Sequence, residues 1–437
     1  MRCRRACRLI GILGCVIAIV AVVQFALFAV FLARTMILRP FWDRISWIDA
    51  YLQVHRYGDV PGYLWTPHNE HHLPLIRLLT TVDVSAFHAN GVSFVIAATT
   101  ALVAAALLVF RELRRGNNVP LSLAWLGPML LLTSVAAVDC SIPINSVYPL
   151  ALVFIVASLV LFNGEAERTP YTTTRRIAAL LTAMLASTAN AVGLVAWPAL
   201  LWSAWRGGAA PRWQVLIAAV GAGYGVMYLH GLPSIGHGDP AAFFAFAHLW
   251  KMLDYLLAYL GLPLSRAPGL GLPARVLGGV LLAAGGIAVL RDVVAPRPAT
   301  RLHRFVVGLV IVALVAAFLA AIGRVDLEAE VKVPVRYALL VAPLHIGLLA
   351  LALPFLTTRA VTYARRVALL GGASVFAAGL LVLQIMAGRA AVTASDAIAT
   401  TLDRYDDGLR EPGMERVVFP DLAEADRILT ALRYLRR

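Results

Sequence analysis

The sequence predicts an all-α polytopic membrane protein of about eleven transmembrane helices, with a large first outer loop, an interfacial helix and a small C-terminal outer cap. Three observations predict it. Of 437 residues, 60% are hydrophobic and only 14% charged, with a mean hydropathy of +0.79, so bilayer rather than water is the main solvent. Apolar runs long enough to cross a hydrocarbon core of about 30 Å recur along the chain. The basic residues gather in short loops between those runs, which is a topology signal.

Arg2, Arg4, Arg5 and Arg8 precede the first run, Leu9 to Ala33. It is too long for a signal-peptide core and lacks a convincing cleavage site, so it reads as an uncleaved first span. Further runs cover 91–110, 119–138, 147–162, 213–230, 270–290, 305–322, 338–356 and 367–387. The stretch 177–205 is interrupted by Ser187, Thr188, Asn190 and Gly193 and flanked by Arg175, Arg176 and Arg206. Two short helices meeting at Asn190 return both basic flanks to one side, and that hairpin is the expected arrangement.

The inner segments are then 1–8, 111–118, 164–176, 206–212, 291–304 and 358–366. They hold half of the 38 Lys and Arg but only four acids, Glu112, Glu165, Glu167 and Asp292. A cytoplasmic N-terminus and an outer C-terminus follow. The net charge of +14 belongs to these loops. No interleaved basic and aromatic surface occurs, so the bilayer, and no nucleic acid, is the expected partner. Cys3, Cys7, Cys15 and Cys140 have the spacing of neither a disulfide framework nor a zinc site.

Residues 1–387 form the expected transmembrane domain, with the outer loop at 34–88 and an interfacial helix at 243–261. That helix places His248, Lys251 and Asp254 on one face and Phe246, Leu249, Leu253, Leu256 and Leu260 on the other. Were it to cross instead, the basic loops after it would change sides. The tail, 388–437, is a small extracytoplasmic segment in which Leu422, Ile428, Leu429, Leu432 and Leu435 are spaced for one helical face.

Chemistry concentrates in the outer segments. The first loop carries Trp42, Asp43, Trp47 and Asp49, then His68, Asn69, Glu70, His71 and His72. Asp43 lies between aromatics at a membrane surface, where partial desolvation raises a carboxyl toward use as a general base. His68, Glu70, His71 and His72 have the residue types to hold a divalent cation. Pro67 and Pro74 bracket them, however, and the order is not that of zinc proteases. The same cluster equally suits a polar loop that caps the span ends.

A late outer loop carries Gly323, Arg324, Asp326, Glu328, Glu330, Lys332, Arg336 and Tyr337. Interfacial arginines suit bidentate recognition of phosphate; snorkelling, or pairing with Asp326 and Glu330, is as common a use. Gly221, Gly223 and Gly225 lie inside an apolar run with no preceding strand and read as close helix packing, not a nucleotide loop.

In this order, the stretches resemble a family of bacterial polytopic membrane proteins related to GT-C-type glycosyltransferases. In that family a first span precedes a Trp-Asp-Glu-Trp-like element and a His-Asn-Glu-His-Arg motif, and a late outer loop carries Gly-Arg and Arg-Tyr. The matching residues are Trp42, Asp43 and Trp47; His68, Asn69, Glu70 and His71; and Gly323, Arg324, Arg336 and Tyr337. The resemblance implies transfer of a sugar from a polyprenyl-phosphate donor to a glycan or lipid acceptor on the periplasmic side of a bacterial inner membrane. It makes Asp43 and Glu70 the catalytic carboxylates, Asp43 deprotonating the acceptor hydroxyl. It assigns substrate binding to Asp49, His68, Asn69, His71, His72, Arg324, Arg336 and Tyr337, the arginines stabilising the departing lipid phosphate. Any metal would use His68, Glu70, His71 and His72.

Two positions depart from the pattern. Arg44 stands where an acid usually follows, with Asp49 as the substitute, and His72 replaces the motif's last Arg, with Arg77 beyond it. A transporter or flippase for a lipid or polysaccharide precursor is the rival reading, and it needs polar residues along a mid-bilayer path. A non-catalytic envelope assembly protein of the same layout is a third.

Overall fold

A computed structural model describes residues 2–69, 71–115, 121–163, 172–232, 246–262, 271–295, 299–325, 333–357 and 363–435. Their regular structure is helical apart from one antiparallel bridge, His68 to His71. In order the helices are α1 (Arg2–Thr35), α2 (Asp43–Tyr57), α3 (Val60–Trp65), α4 (Pro74–Phe87), α5 (Val92–Arg115), α6 (Leu121–Ala124), α7 (Leu126–Leu131), α8 (Ser134–Ser141) and α9 (Val147–Phe162). There follow α10 (Thr172–Ala189), α11 (Ala196–Arg206), α12 (Pro211–Leu229), α13 (Phe246–Leu260), α14 (Gly271–Val294), α15 (Arg301–Arg324), α16 (Ala338–Thr357), α17 (Tyr363–Asp406) and α18 (Leu422–Leu435).

Helices dominate because lipid offers no partner for exposed backbone groups, so each segment must satisfy its own. Seven described helices are long and apolar enough to cross a membrane, or eight if the bent pair Leu121–Leu131 and Ser134–Ser141 is one span. The chain is thus a multi-pass helical membrane protein. The other expected crossings fall on α10, α11 and α12, which have 18, 11 and 19 residues.

The run read as a single span at 119–138 is bent by 47°. Such a break frees backbone groups, and distant glutamines meet them. Gln24 Nε2 donates to the Leu132 carbonyl at 3.2 Å, and Gln384 Oε1 accepts from the Ser134 N–H at 2.7 Å.

Ion pairs sort the helix ends. At one end Arg301 grips Glu112 with two bonds of 2.8 and 2.7 Å. Asp292 accepts from Arg206 at 3.0 Å and contacts His303 at 2.7 Å. Arg304 donates to Asn163 at 2.9 Å, and Arg176 lies over the Phe162 and Trp213 rings. The starts of α10, α12 and α15 therefore meet the ends of α5, α9, α11 and α14, so α10 and α11 both have their basic ends here. Between them the chain reverses at Asn190, where a Cβ on Gly193 would lie 2.1 Å from the Ala186 backbone.

Helix α13 runs antiparallel along α14, with Gly278 and Gly261 against the backbones of Leu257 and Ala274. Asp254, on the face expected to be polar, pairs with Arg275 of α14. Helix α17 passes through the expected boundary at 387/388 unbroken: its 44 residues span about 66 Å, twice a hydrocarbon core. Beyond it the tail folds back as α18 onto α2, burying Phe41, Ile45 and Ile48 with Val418, Ile428 and Leu432.

Candidate functional site

The site begins with a first loop braced by a buried ion pair. Arg44 and Asp83 form an ion pair of 2.8 Å, each side chain only 2% exposed. Arg44 also donates to the carbonyls of Ala89 at 2.7 Å and Arg39 at 3.0 Å, while Asp83 accepts from Gly91 N and Ser93 Oγ. Burial brings the Arg44 pKa down to about 10, with Asp83 opposing. Arg44 is therefore a clamp inside the loop. Gly91, at φ 87°, passes so close that a Cβ would sit 2.7 Å from the Arg44 guanidinium.

On the other side, Trp42 takes a left-handed backbone (φ 50°) and donates its N–H to the Val418 carbonyl of the tail at 2.6 Å. Asp43, the first residue of α2, is held between these two anchors. Its side chain is 37% exposed, so the desolvation expected for it is only partial, and one oxygen lies 3.5 Å from His68 Nε2. His68 packs edge-on to Trp47, which stacks on Phe94.

Pro67 and Pro74 do exclude a helix between them. Instead His68 and His71 exchange backbone bonds of 2.8 and 3.1 Å around a tight turn, whose Asn69 has φ 52°, a conformation Asn tolerates. Glu70, the second expected catalytic carboxylate, lies outside the described residues.

Asp43, His68, Asn69 and His71 open onto a cavity of about 270 Å³ that is also lined by Trp42, Trp47, Tyr148, Asn190, Arg324 and Arg336. The two polar stretches, distant in sequence, thus share one cavity. Arg336 Nε donates to the Tyr148 hydroxyl at 3.1 Å, and Arg324 ends α15. Behind Arg336, Asp139 is buried at the end of α8.

A second cavity of about 400 Å³ adjoins the first, lined by Leu229, Leu232, Ala316, Leu319, Ala320 and Leu340 with Tyr259 and Tyr337. His71, Tyr148, Asn190 and Arg324 line both cavities. Polar and apolar compartments therefore meet at a four-residue neck.

Two expected substrate residues point elsewhere. His72 is 2% exposed, stacked on Trp65, with Nδ1 facing the Trp65 carbonyl and Nε2 the His230 carbonyl at 3.3 Å. It ties the loop to the end of α12. Asp49 pairs with Arg427 of α18 at 2.9 Å and does not line the cavity beside Asp43. Arg77 is buried under the Tyr63 ring.

Among the described residues no three His, Cys, Asp or Glu side chains converge as metal ligands. Of the four candidate ligands, His68 and His72 face different partners and Glu70 lies outside the described residues. Sequence reading missed Tyr148, Asn190 and Asp139. Of these, only Asn190 carried a signal, as a polar break in an apolar run. No family model, curated protein or solved structure matches the chain.

Proposed function

We propose that the protein is a membrane glycosyltransferase of the GT-C type, moving a sugar from a polyprenyl-phosphate carrier to a hydroxyl acceptor on the extracytoplasmic side of a bacterial inner membrane. One observation carries the reading: a polar cavity holding a carboxylate and two arginines adjoins, across four shared lining residues, an apolar cavity among membrane helices. A lipid-linked sugar has that same division between a phosphorylated head and an isoprenoid tail. A donor delivered through the bilayer also needs no nucleotide fold.

In this reading Asp43, with His68 beside it, takes the proton from the acceptor hydroxyl. The oxygen attacks the anomeric carbon, the bond from that carbon to the phosphate oxygen breaks, and the lipid phosphate departs with the electron pair. Arg324 and Arg336 meet the charge that develops there. Orientation follows from the cluster of arginines at the opposite helix ends, which the positive-inside bias assigns to the cytoplasm. About eleven crossings then result if α10 and α11, as a hairpin, and α12 join the eight spans of the other described helices.

The transporter reading gains less support. Gln24 and Gln384, the glutamines buried in the spans, bond the broken α7–α8 backbone and line neither cavity. The test is Asp43→Asn in cells: normal abundance and insertion with loss of a cell-envelope glycan is expected. Unchanged glycan at normal abundance would overturn the assignment.

A further inference from the structure

We propose that the neck between the two cavities is a phosphate clamp in which Asn190 donates through its side-chain amide, alongside Tyr148 and Arg324, to the head of a prenyl monophosphate. This rests on reading the paired cavities as a lipid-phosphate site, and it adds ligand-binding residues to that site.

The orientation of the Asn190 amide is fixed by the fold. Its Oδ1 accepts the Val192 N–H at 3.0 Å, capping the turn Ala191–Val195 that starts the return leg of the α10–α11 hairpin. With the carbonyl oxygen committed to the backbone, the NH₂ group is turned away from that turn. The residue is 7% exposed, yet it forms part of the wall of both cavities. A buried amide that lines a cavity, with its oxygen committed elsewhere, can offer its N–H donors to an acceptor there.

Tyr148 is arranged in a complementary way. Its hydroxyl oxygen accepts from Arg336 Nε at 3.1 Å, which leaves its own O–H to donate. Neutral donors from Asn190 and Tyr148, set beside the Arg324 guanidinium at the mouth of an apolar chamber, match a phosphate monoester with a hydrocarbon tail. Hydrogen bonds to such an anion are the strong, charge-assisted kind.

The test uses the full-length protein in detergent and farnesyl monophosphate as probe, with farnesol and inorganic phosphate as controls. Asn190→Asp keeps the cap on Val192 but replaces both donors by a charged acceptor. It should melt like the wild type and bind farnesyl monophosphate at least about tenfold more weakly. Asn190→Ser also keeps a capping oxygen without the amide, and should lose affinity less steeply. Tyr148→Phe should fall between them.

Wild-type affinity in Asn190→Asp would mean that Asn190 serves only the backbone, and would overturn the proposal. So would equal affinity for farnesol and farnesyl monophosphate, or for inorganic phosphate and farnesyl monophosphate. Probe binding that needs Asn190 in a protein without sugar-transfer activity would leave the clamp standing and reject the transferase reading alone.

Discussion

The Arg336 guanidinium and the Tyr148 hydroxyl, 188 positions apart, are joined by a 3.1 Å hydrogen bond that fixes the chain before α16 to the first turn of α9. Arg336 thereby meets the cavity in one orientation. A lysine cannot keep both that bond and a bidentate grip on phosphate. Arg336→Lys is therefore expected to lower kcat for sugar transfer on the order of 10²-fold with a smaller change in KM, the pattern of a lost transition-state contact. Steady-state kinetics with a prenyl-phosphate sugar checks this, and an effect confined to KM would point to ground-state binding.

The buried Arg44–Asp83 pair makes a stability prediction. Removing the carboxylate strands a guanidinium, so Asp83→Ala should cost about 3–5 kcal/mol, read as a lowered Tm in detergent. The pKa of about 10 lies below the ordinary 12.5 for Arg, so the unfolded chain holds this proton more tightly. Arg44's own titration therefore changes stability only above about pH 10. Between about pH 6 and 9 the Tm gap between wild type and variant should stay constant.

The tail is expected to act on the site through packing, not through its surface ion pairs. Ile428 is 1% exposed in the core that α18 shares with α2, and Ile428→Ala should cost about 2–5 kcal/mol. Loosening α18 withdraws the Val418 carbonyl from Trp42, next to Asp43, so proteolytic release of the tail and loss of transfer should rise together. Arg427→Ala breaks an exposed pair with Asp49 and should change neither.

Two glycine substitutions separate packing from composition. Gly193→Ala places a methyl group on the Ala186 backbone and should reduce folded protein sharply, whereas a Cβ on Gly223 meets nothing within 4 Å. Gly223→Ala should therefore express normally, as measured by monodisperse yield in detergent. Loss of function in that variant would revive a ligand role for the Gly221–Gly225 stretch.

Which features could be read from sequence follows from the range over which they are determined. Long apolar runs specify spans locally, and the reversal at Asn190 shows as a polar break with arginines on both flanks. The bend after Leu131 does not show, because its surroundings are apolar and its compensating partners, Gln24 and Gln384, come from spans far along the chain. Arg44 looked like a lost acid until Asp83, 39 positions away, supplied its counter-charge. Motif residues divided by partner in the same way: Asp43 and His68 stayed with the cavity, while His72 and Asp49 went to a carbonyl cage and the tail. Tyr148 passed unnoticed because a tyrosine at the start of an apolar helix is ordinary.

The most direct test of the central claim is a cryo-EM structure of the full-length protein with a non-transferable polyprenyl monophosphate. The account predicts phosphate at the neck beside Arg324, Arg336 and Asn190, an isoprenoid tail along Leu319, Ala320 and Leu340, and Asp43 facing the head. Phosphate bound instead at the opposite helix ends, beside Arg301 or Arg304, would contradict it.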